Sequence, residues 1–251
     1  MNNILSDIKA NLEVIKKRMD LAAHRAGRDS NKIQLVTVTK SQPVEIVEAA
    51  INAGADKLGE NYPEEAVIKI ELLKEISTKV EWHMIGHVQS RKVRLVVENF
   101  NYVHSIDSFR LAEKFNRILE DYGITLPIFL EVNVSGEDTK NGFPINTPEG
   151  LIQTYSQIEQ IIDLRKIKVI GLMSMPPYTI DPEKSRPYFK RMQWFRDELL
   201  KKYNSFELDE LSMGTSSDFE VAIEEGATII RVGQAILGPR IKEYPPQKKE
   251  I

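Results

Sequence analysis

Short apolar runs alternate with amphipathic segments along almost the whole chain. The first segment, residues 3–26, places apolar side chains at spacings of three and four, which predicts a helix with one apolar face, and Gly27 follows as a helix stop. Beyond it, one amphipathic stretch separates each run from the next. The runs are rich in β-branched and apolar residues and predict eight strands, which begin at Ile33, Lys57, Glu81, Tyr102, Pro127, Ile167, Glu210 and Thr228.

This alternation predicts a parallel sheet, because parallel neighbours need a crossover connection. Eight such units around one core favour an α/β fold that is a single (β/α)₈ TIM-type barrel with an extra N-terminal helix; an open doubly wound sheet is the alternative. No repeat, low-complexity tract or linker divides the chain. We therefore assign residues 1–241 to one barrel domain and residues 242–251 to a short polar C-terminal tail.

Composition and charge narrow the classes of partner. The 251 residues include 34 Lys and Arg against 37 Asp and Glu, a formal net charge of −3, which lacks the basic excess of nucleic-acid and membrane-surface binders. The chain has no cysteine, as suits a reducing compartment, and its four histidines lack metal-ligand spacing. We expect a cytoplasmic monomer without a metal, and without nucleic-acid or membrane partners.

A lysine ends the first predicted strand, in the stretch IQLVTVTKSQP. Side chains alternate along a strand, so Lys40 shares a face with Val38, Val36 and Gln34. Binding and catalytic groups of (β/α)₈ barrels lie at the carboxyl ends of the strands. If this face points inward, the Lys40 amine stands at the barrel mouth, although lysines at strand ends are more often solvated surface groups.

Glycine-bearing turns follow the seventh and eighth predicted strands. Gly214, Thr215 and Ser216 lead into one helix, and Gly233 and Gln234 follow the last strand. Barrels of this kind often bind phosphate through these two loops, where backbone N–H groups point outward. An ordinary helix cap is the alternative interpretation of the first turn, but its position after strand seven favours a phosphate site.

Arg231 lies in the otherwise apolar last strand and needs an acceptor, either a ligand atom or a carboxylate such as that of Glu131. An amine, a phosphate cradle and an arginine at one barrel mouth match the aldehyde, phosphate and ring nitrogen of pyridoxal 5′-phosphate. Lys40 would form the Schiff base with this cofactor, and Arg231 would donate to the pyridine nitrogen.

Seven motifs resemble those of the pyridoxal phosphate homeostasis proteins, also described as the YggS or PROSC type. In chain order they are LVTVTKSQP, LGENYPEE, EWHMIGHVQSRK, VHSID, EVNVSGEDTKNGF, GLMSM and LSMGTSSDFEVAIEEGATIIRVGQAILGPR. The resemblance implies a barrel similar to the N-terminal domain of alanine racemase, with the cofactor on Lys40. The chain departs from the usual motifs at Thr39, Arg91 and Thr215, the last of which lies in the predicted phosphate turn.

Further cofactor-binding candidates lie at other predicted strand ends. The resemblance implies that Asn61 stands beside the cofactor. Met173 and Ser174 end the sixth predicted strand and Ser212 the seventh, while a core-filling role is the alternative for the methionine. His83 ends the third strand, with an interior hydrogen-bonded histidine as its alternative interpretation. No catalytic residue is assigned.

Three functional hypotheses follow. The resemblance implies a pyridoxal phosphate carrier or sensor that balances intracellular vitamin B6 and amino-acid pools with little or no turnover. Its expected ligands include amino acids or other B6 vitamers, and its expected partners are enzymes that require the cofactor. A racemase-like enzyme is the second hypothesis, but racemisation needs a second proton donor, which alanine racemase takes from an additional C-terminal domain. A Schiff-base aldolase acting on a sugar phosphate is the third.

Overall fold

Eight parallel strands close into a barrel. The computed structural model of the protein describes residues 2–137, 139–203 and 207–239, so the predicted tail at 242–251 lies outside the described residues. The described residues form nine strands, of which all but β6 belong to the barrel: β1 (Gln34–Val38), β2 (Lys57–Glu60), β3 (Glu81–Met84), β4 (Tyr102–Ile106), β5 (Leu126–Asn133), β6 (Phe143–Pro144), β7 (Ile167–Met173), β8 (Glu210–Ser212) and β9 (Ile229–Val232).

The pairing of these strands confirms the predicted barrel and excludes the open sheet. Neighbours pair in parallel in the order β1, β2, β3, β4, β5, β7, β8 and β9, and β9 pairs back onto β1. The two-residue strand β6, which the sequence analysis did not predict, adds to the edge of β5 outside the closed ring. All eight predicted strands are present.

Helices follow the strands around the outside of the barrel. They are α1 (Asn2–Arg25), α2 (Val44–Asn52), α3 (Pro63–Leu72), α4 (Lys74–Ser77), α5 (Val93–Asn99), α6 (Phe109–Tyr122), α7 (Pro148–Ile162), α8 (Arg186–Lys202), α9 (Phe219–Glu224) and α10 (Gln234–Leu237). The amphipathic stretch over residues 63–77 forms two helices, because Leu73 leaves the helical conformation between α3 and α4. No helix in the described ranges is both long and apolar enough to cross a membrane.

The N-terminal helix α1 covers one side of the barrel. Its apolar face, which includes Ile8, Leu12 and Ile15, is buried where α1 packs against α2, α9 and α10. On its polar side, Arg18 forms an ion pair of 2.8 Å with Glu220 of α9. Burial of this apolar stripe explains why the pattern of three- and four-residue spacings continues over 24 residues.

Side chains alternate between the inside of the barrel and the layer under the helices. The inside of the barrel holds a separate apolar cluster of Val36, Phe129, Met173 and Ile229. Ile230, the neighbour of Ile229 along β9, belongs instead to the larger core beneath the helices. Because Val36 belongs to the inner cluster, the face of β1 that carries Val36 points into the barrel, as the alternation predicts.

Candidate functional site

A cleft of about 550 Å³ opens at the carboxyl ends of the barrel strands. Seven of the predicted site residues line it: Lys40, Asn61, Thr215, Ser216, Arg231, Gly233 and Gln234. The lysine that ends the first strand and the turns that follow the last two strands therefore share one cavity. Closure of the barrel through the pairing of β1 with β9 explains this meeting of distant sequence segments.

The backbone on either side of Lys40 is anchored by charged side chains of α3. Lys69 Nζ donates to the Thr39 carbonyl at 2.8 Å, and the Ser41 N–H donates to Glu65 Oε1 at 2.7 Å. Ser41 adopts a left-handed conformation with φ of 55°, which is uncommon for a residue other than glycine. Two fixed neighbours and a left-handed turn together set the point from which the half-buried Lys40 enters the cleft.

Lys69 also holds together a buried ionic cluster. Its fully buried amine donates to Glu60 Oε1 at 2.7 Å and to Glu65 Oε1 at 2.6 Å, and the Thr39 hydroxyl also donates to Glu60 Oε1. The other oxygen of Glu60 has no hydrogen-bond partner in the part of the chain that the structure describes. Burial raises the pKa of Glu60 to about 7, against the opposing charge of Lys69. The sequence pattern does not predict this cluster, because a lysine on an amphipathic helix is usually solvated.

The turn after β8 is closed by a carboxylate. Asp218 Oδ1 accepts the Thr215 N–H at 2.7 Å and the Thr215 hydroxyl at 3.0 Å. Gly214 has φ of 92°, and a Cβ there would lie 2.6 Å from the Ala222 Cβ, so this position requires glycine. Because Asp218 occupies the Thr215 donors, any anion in the cleft would bind to other donors of these turns. Within the described residues, the backbone N–H groups of Ser216 and Gln234 make no hydrogen bond.

Arg231 is a buried cation that pairs with no carboxylate of the described residues. Nη1 donates to Ser212 Oγ at 2.6 Å, and Nη2 lies 2.9 Å from the Ser174 carbonyl oxygen and 3.0 Å from the Met175 sulfur. None of the described carboxylates, that of Glu131 included, lies within 4 Å of the guanidinium. Burial lowers the pKa of Arg231 to about 10, so the group stays charged at neutral pH. A buried charge with only neutral acceptors has room for a ligand acceptor.

Two further polar groups in the cleft wall lack partners. Asn61 Oδ1 and Glu131 Oε2 are buried and accept no hydrogen bond within the described residues. Burial raises the pKa of Glu131 to about 7; the charge of Asp107 adds to this shift and that of Arg231 opposes it. Such orphaned atoms are typical of binding sites. The described residues contain no group of three or more His, Asp or Glu side chains that could hold a metal ion.

Five predicted site residues do not line the cleft. Met173 belongs to the inner apolar cluster, which is the core-filling alternative. Ser174 and Ser212 lie behind the wall as acceptors for Arg231, and the Gly214 carbonyl accepts the Arg231 N–H. His83 is buried in the barrel interior.

The structure also adds lining residues that the sequence analysis did not predict. They come from loops after β3, β5, β7 and β8 and are Ile85, Gly86, His87, Asn141, Met175, Tyr178 and Ser217. Their segments carry no periodic pattern, and only their position directly after predicted strands could have indicated a role. Tyr178 is 85% exposed, so it stands at the outer edge of the cleft.

Replacing Glu131 with glutamine is expected to change how stability depends on pH. The folded-state pKa of Glu131, about 7, lies above the ordinary value of 4.5, so the folded protein binds this proton more tightly than the unfolded chain. The resulting stabilisation is complete below the unfolded-state pKa and is lost as the pH rises through the folded-state pKa, a change of about 3 kcal/mol. Denaturant unfolding at pH 5 and pH 8 should show the wild type losing most of this stability relative to Glu131→Gln.

The exposed Glu149 at the start of α7 provides the control, as Glu149→Gln removes a carboxylate that does not line the cleft. If wild type and Glu131→Gln lose stability in parallel between the two pH values, the raised pKa of Glu131 is wrong.

Comparison with known proteins places this geometry in a family. The family model for the alanine racemase N-terminal domain matches residues 5–240. A pyridoxal phosphate homeostasis protein from Aquifex aeolicus is 40% identical over 229 residues, which cover 91% of this chain and 96% of the relative. The protein of that name from Escherichia coli K12 is 33% identical over 237 residues, covering 94% and 98%. The chain belongs to the pyridoxal phosphate homeostasis protein family.

Solved structures agree with this membership. PipY of Synechococcus elongatus, determined with PLP bound, has a TM-score of 0.77 and 32% identity to this member of the pyridoxal phosphate homeostasis family. The match covers 89% of this chain and 100% of the PipY chain. A protein from Bifidobacterium adolescentis has a TM-score of 0.84 and 32% identity, with 94% and 96% covered. Alanine racemase of Clostridium difficile, at 15% identity and a TM-score of 0.70, covers 92% of this chain and 59% of the racemase, and shares the fold.

Proposed function

We propose that this protein binds pyridoxal 5′-phosphate as a Schiff base on Lys40 and acts in the homeostasis of that cofactor. The observation that carries the proposal is the meeting of the Lys40 amine, the Arg231 guanidinium and two glycine-bearing turns in one cleft of about 550 Å³. The names of the relatives and the PLP bound to PipY support the choice of cofactor.

The aldehyde, phosphate and ring nitrogen of the cofactor each have a counterpart in the cleft. Arg231 needs an acceptor and would donate to the pyridine nitrogen, while N–H groups of the turns at Ser216 and Gln234 would hold the phosphate. Asn61, with its orphaned oxygen, would contact the cofactor from the β2 side. Lys40 would hold the cofactor through an imine between its amine nitrogen and the aldehyde carbon, with the aldehyde oxygen released as water. Once bound, the cofactor supplies an electron sink.

Binding and release of the cofactor, with little or no turnover, is the output that we propose. Transfer to enzymes that require the cofactor, binding of other B6 vitamers or amino acids, a monomeric state and a cytoplasmic location remain predictions. Exchange of amino-acid α-protons in deuterated water, followed by NMR, separates the carrier from a racemase-like enzyme. Rapid exchange that depends on Lys40 would replace the carrier by the enzyme.

Purified protein mixed with pyridoxal phosphate is expected to show the yellow absorption of a protein Schiff base, which Lys40→Ala should abolish. Lys40→Arg retains a cation but cannot form the imine, so it should also be colourless while retaining weak phosphate-driven binding. Lys168→Ala, which removes an exposed amine from β7, is the matched control and should stay yellow. Borohydride reduction followed by peptide mass mapping should place the label on Lys40.

Two results would overturn this proposal. One is a wild-type protein that takes up no pyridoxal phosphate but forms a borohydride-trapped adduct with a sugar phosphate, which favours the aldolase. The other is a Lys40→Ala variant with undiminished absorption, which would place the Schiff base on another lysine.

A further inference from the structure

A line of hydrogen bonds runs from the cleft through the barrel interior. Arg231 Nη1 contacts Ser212 Oγ at 2.6 Å, Ser212 Oγ contacts His104 Nδ1 at 2.9 Å, and His104 Nε2 contacts His83 Nδ1 at 2.9 Å. Beyond it, His83 Nε2 lies 3.7 Å from Oε2 of the partly exposed Glu81 at the start of β3. We call Arg231, Ser212, His104 and His83 the interior chain.

Packing fixes both imidazole rings of the interior chain. His83 stacks on Tyr102 with ring centroids 4.5 Å apart and an interplanar angle of 6°, and His104 stacks on Phe129 at 4.2 Å. Both histidines are buried, and burial lowers the pKa of each, so both rings are neutral near neutral pH. A neutral imidazole has one N–H donor and one bare acceptor nitrogen, and its neighbours decide which is which.

The direction of the interior chain follows from Arg231, which can only donate. Ser212 Oγ accepts from Arg231, so its own hydrogen is available, and His104 Nδ1 is the other contact of that hydroxyl among the described residues. Ser212 therefore donates to His104 Nδ1, and the proton of His104 resides on Nε2. That N–H donates to His83 Nδ1, which places the proton of His83 on Nε2. Among the described residues Nε2 makes no hydrogen bond, but it lies 3.7 Å from the Glu81 carboxylate, whose negative charge favours a proton on this nitrogen.

The reverse direction fails at both ends. If His104 donated from Nδ1 to Ser212, the buried serine hydroxyl hydrogen would have no acceptor among the described residues, which is unfavourable. The proton of His83 would then lie on Nδ1, and its bare Nε2 would face Glu81 Oε2, so that two acceptors would meet. The guanidinium at one end and the carboxylate at the other thus select the same order.

We propose that His104 and Ser212 are positioning residues for Arg231, which they hold through a one-way interior chain in which both histidines are the Nε2–H tautomers. The interior chain fixes the guanidinium by one N–H of Nη1, and Nη2 contacts the Ser174 carbonyl and the Met175 sulfur, so the N–H groups left for a ligand acceptor at the cleft are those of Nε and the second one of Nη1. The order of the interior chain follows from contacts within the protein and does not depend on the cofactor. Its consequence for the pyridine nitrogen rests on the proposed function.

The tautomers can be measured directly. In protein labelled with ¹⁵N at histidine, long-range ¹H–¹⁵N correlation distinguishes a bare ring nitrogen from one that carries a proton. We expect single Nε2–H patterns for His83 and His104 in the cofactor-free protein at neutral pH, assigned with His83→Gln. The exposed His24 and His87 give reference spectra from the same sample. An Nδ1–H tautomer, a tautomer mixture or an imidazolium at either interior position would overturn the proposal.

Replacement of Ser212 tests the positioning role. Ser212→Ala removes the hydroxyl that connects Arg231 to His104, so His104 should change to a mixture of tautomers and pyridoxal phosphate should bind about ten-fold more weakly. Ser212→Thr restores the hydroxyl and should restore the single tautomer and most of the affinity. Loss of affinity in Ser212→Ala with an unchanged tautomer pattern would contradict the proposed role of the interior chain in holding Arg231.

The two proposals fail in different ways. If wild-type protein binds no pyridoxal phosphate but shows the expected tautomers, the proposed function is wrong and the interior chain stands. If Lys40 forms the Schiff base but the tautomers are mixed, the proposed order of the interior chain is wrong and the proposed function stands.

Discussion

Replacing Lys69 with methionine is expected to lower the free energy of unfolding by about 3–5 kcal/mol, because the change removes the cation from a buried ionic cluster. The Lys69 amine is fully buried and donates to Glu60, to Glu65 and to the Thr39 carbonyl. Methionine has a similar length but no charge, so the two carboxylates would face each other in the interior. Denaturant unfolding at pH 8 measures the loss.

The loss should depend on pH in a defined direction. Burial already raises the pKa of Glu60 to about 7, and removal of Lys69 takes away a charge that opposes this shift. A carboxyl whose folded-state pKa lies above its unfolded value stabilises the protein at low pH, and this contribution is lost as the pH rises through the folded-state pKa. Lys69→Met should therefore be less destabilising at pH 5 than at pH 8.

Two variants control for trivial effects. Lys74→Met removes an exposed lysine from the adjacent helix α4 and should change stability by no more than about 0.5 kcal/mol. The double variant Lys69→Met with Glu60→Gln removes one of the stranded carboxylates and should recover part of the loss. If Lys69→Met is as stable as the wild type at pH 8, the amine does not hold this cluster together.

Lys69→Met is also expected to affect the binding of the cofactor in the cleft. Lys69 and Glu65 hold the backbone of Thr39 and Ser41, the two residues that flank Lys40. Loss of these anchors frees the start of the Lys40 side chain, so the yield of Schiff base should fall even where Lys69→Met remains folded. Absorption spectra of folded Lys69→Met and Lys74→Met mixed with pyridoxal phosphate compare the two yields.

The fold and the location of the cleft could be predicted from the sequence because both depend on short-range periodicity. Alternation along β1 places Val36 inside and carries Lys40 to the mouth, and the glycine-bearing turns follow directly from the ends of β8 and β9. Barrel closure then brings the first strand beside the last. None of these steps requires knowledge of which side chains touch.

The groups that the sequence analysis missed depend on contacts between distant segments. Lys69 occupies a position on an amphipathic helix that is usually solvated, and its burial follows from the two carboxylates that meet it. His104 lies in an apolar strand, where its role is set by Ser212 and His83 from other strands. Tyr178 comes from a loop without a periodic pattern. Tertiary packing alone determines such contacts.

Gly86→Ala is expected to lower the free energy of unfolding by about 3 kcal/mol and to weaken binding of pyridoxal phosphate. A Cβ at Gly86 would lie 2.6 Å from Asn61 Cα and still closer to the Asn61 carbonyl oxygen. Backbone atoms cannot rotate away as a flexible side chain does, so the loops after β2 and β3 would have to separate. Both residues line the cleft, and the displacement would therefore move Asn61 relative to Lys40.

Gly27→Ala separates this steric effect from backbone strain. Gly27 has φ of 64°, but nothing lies within 4 Å of a Cβ placed there, so the cost should be about 1–2 kcal/mol from the left-handed conformation alone. It follows α1, away from the cleft, and should leave cofactor binding unchanged. Titration of each folded variant with pyridoxal phosphate gives the comparison. Equal affinities of Gly86→Ala and the wild type would show that the contact between these loops does not position Asn61.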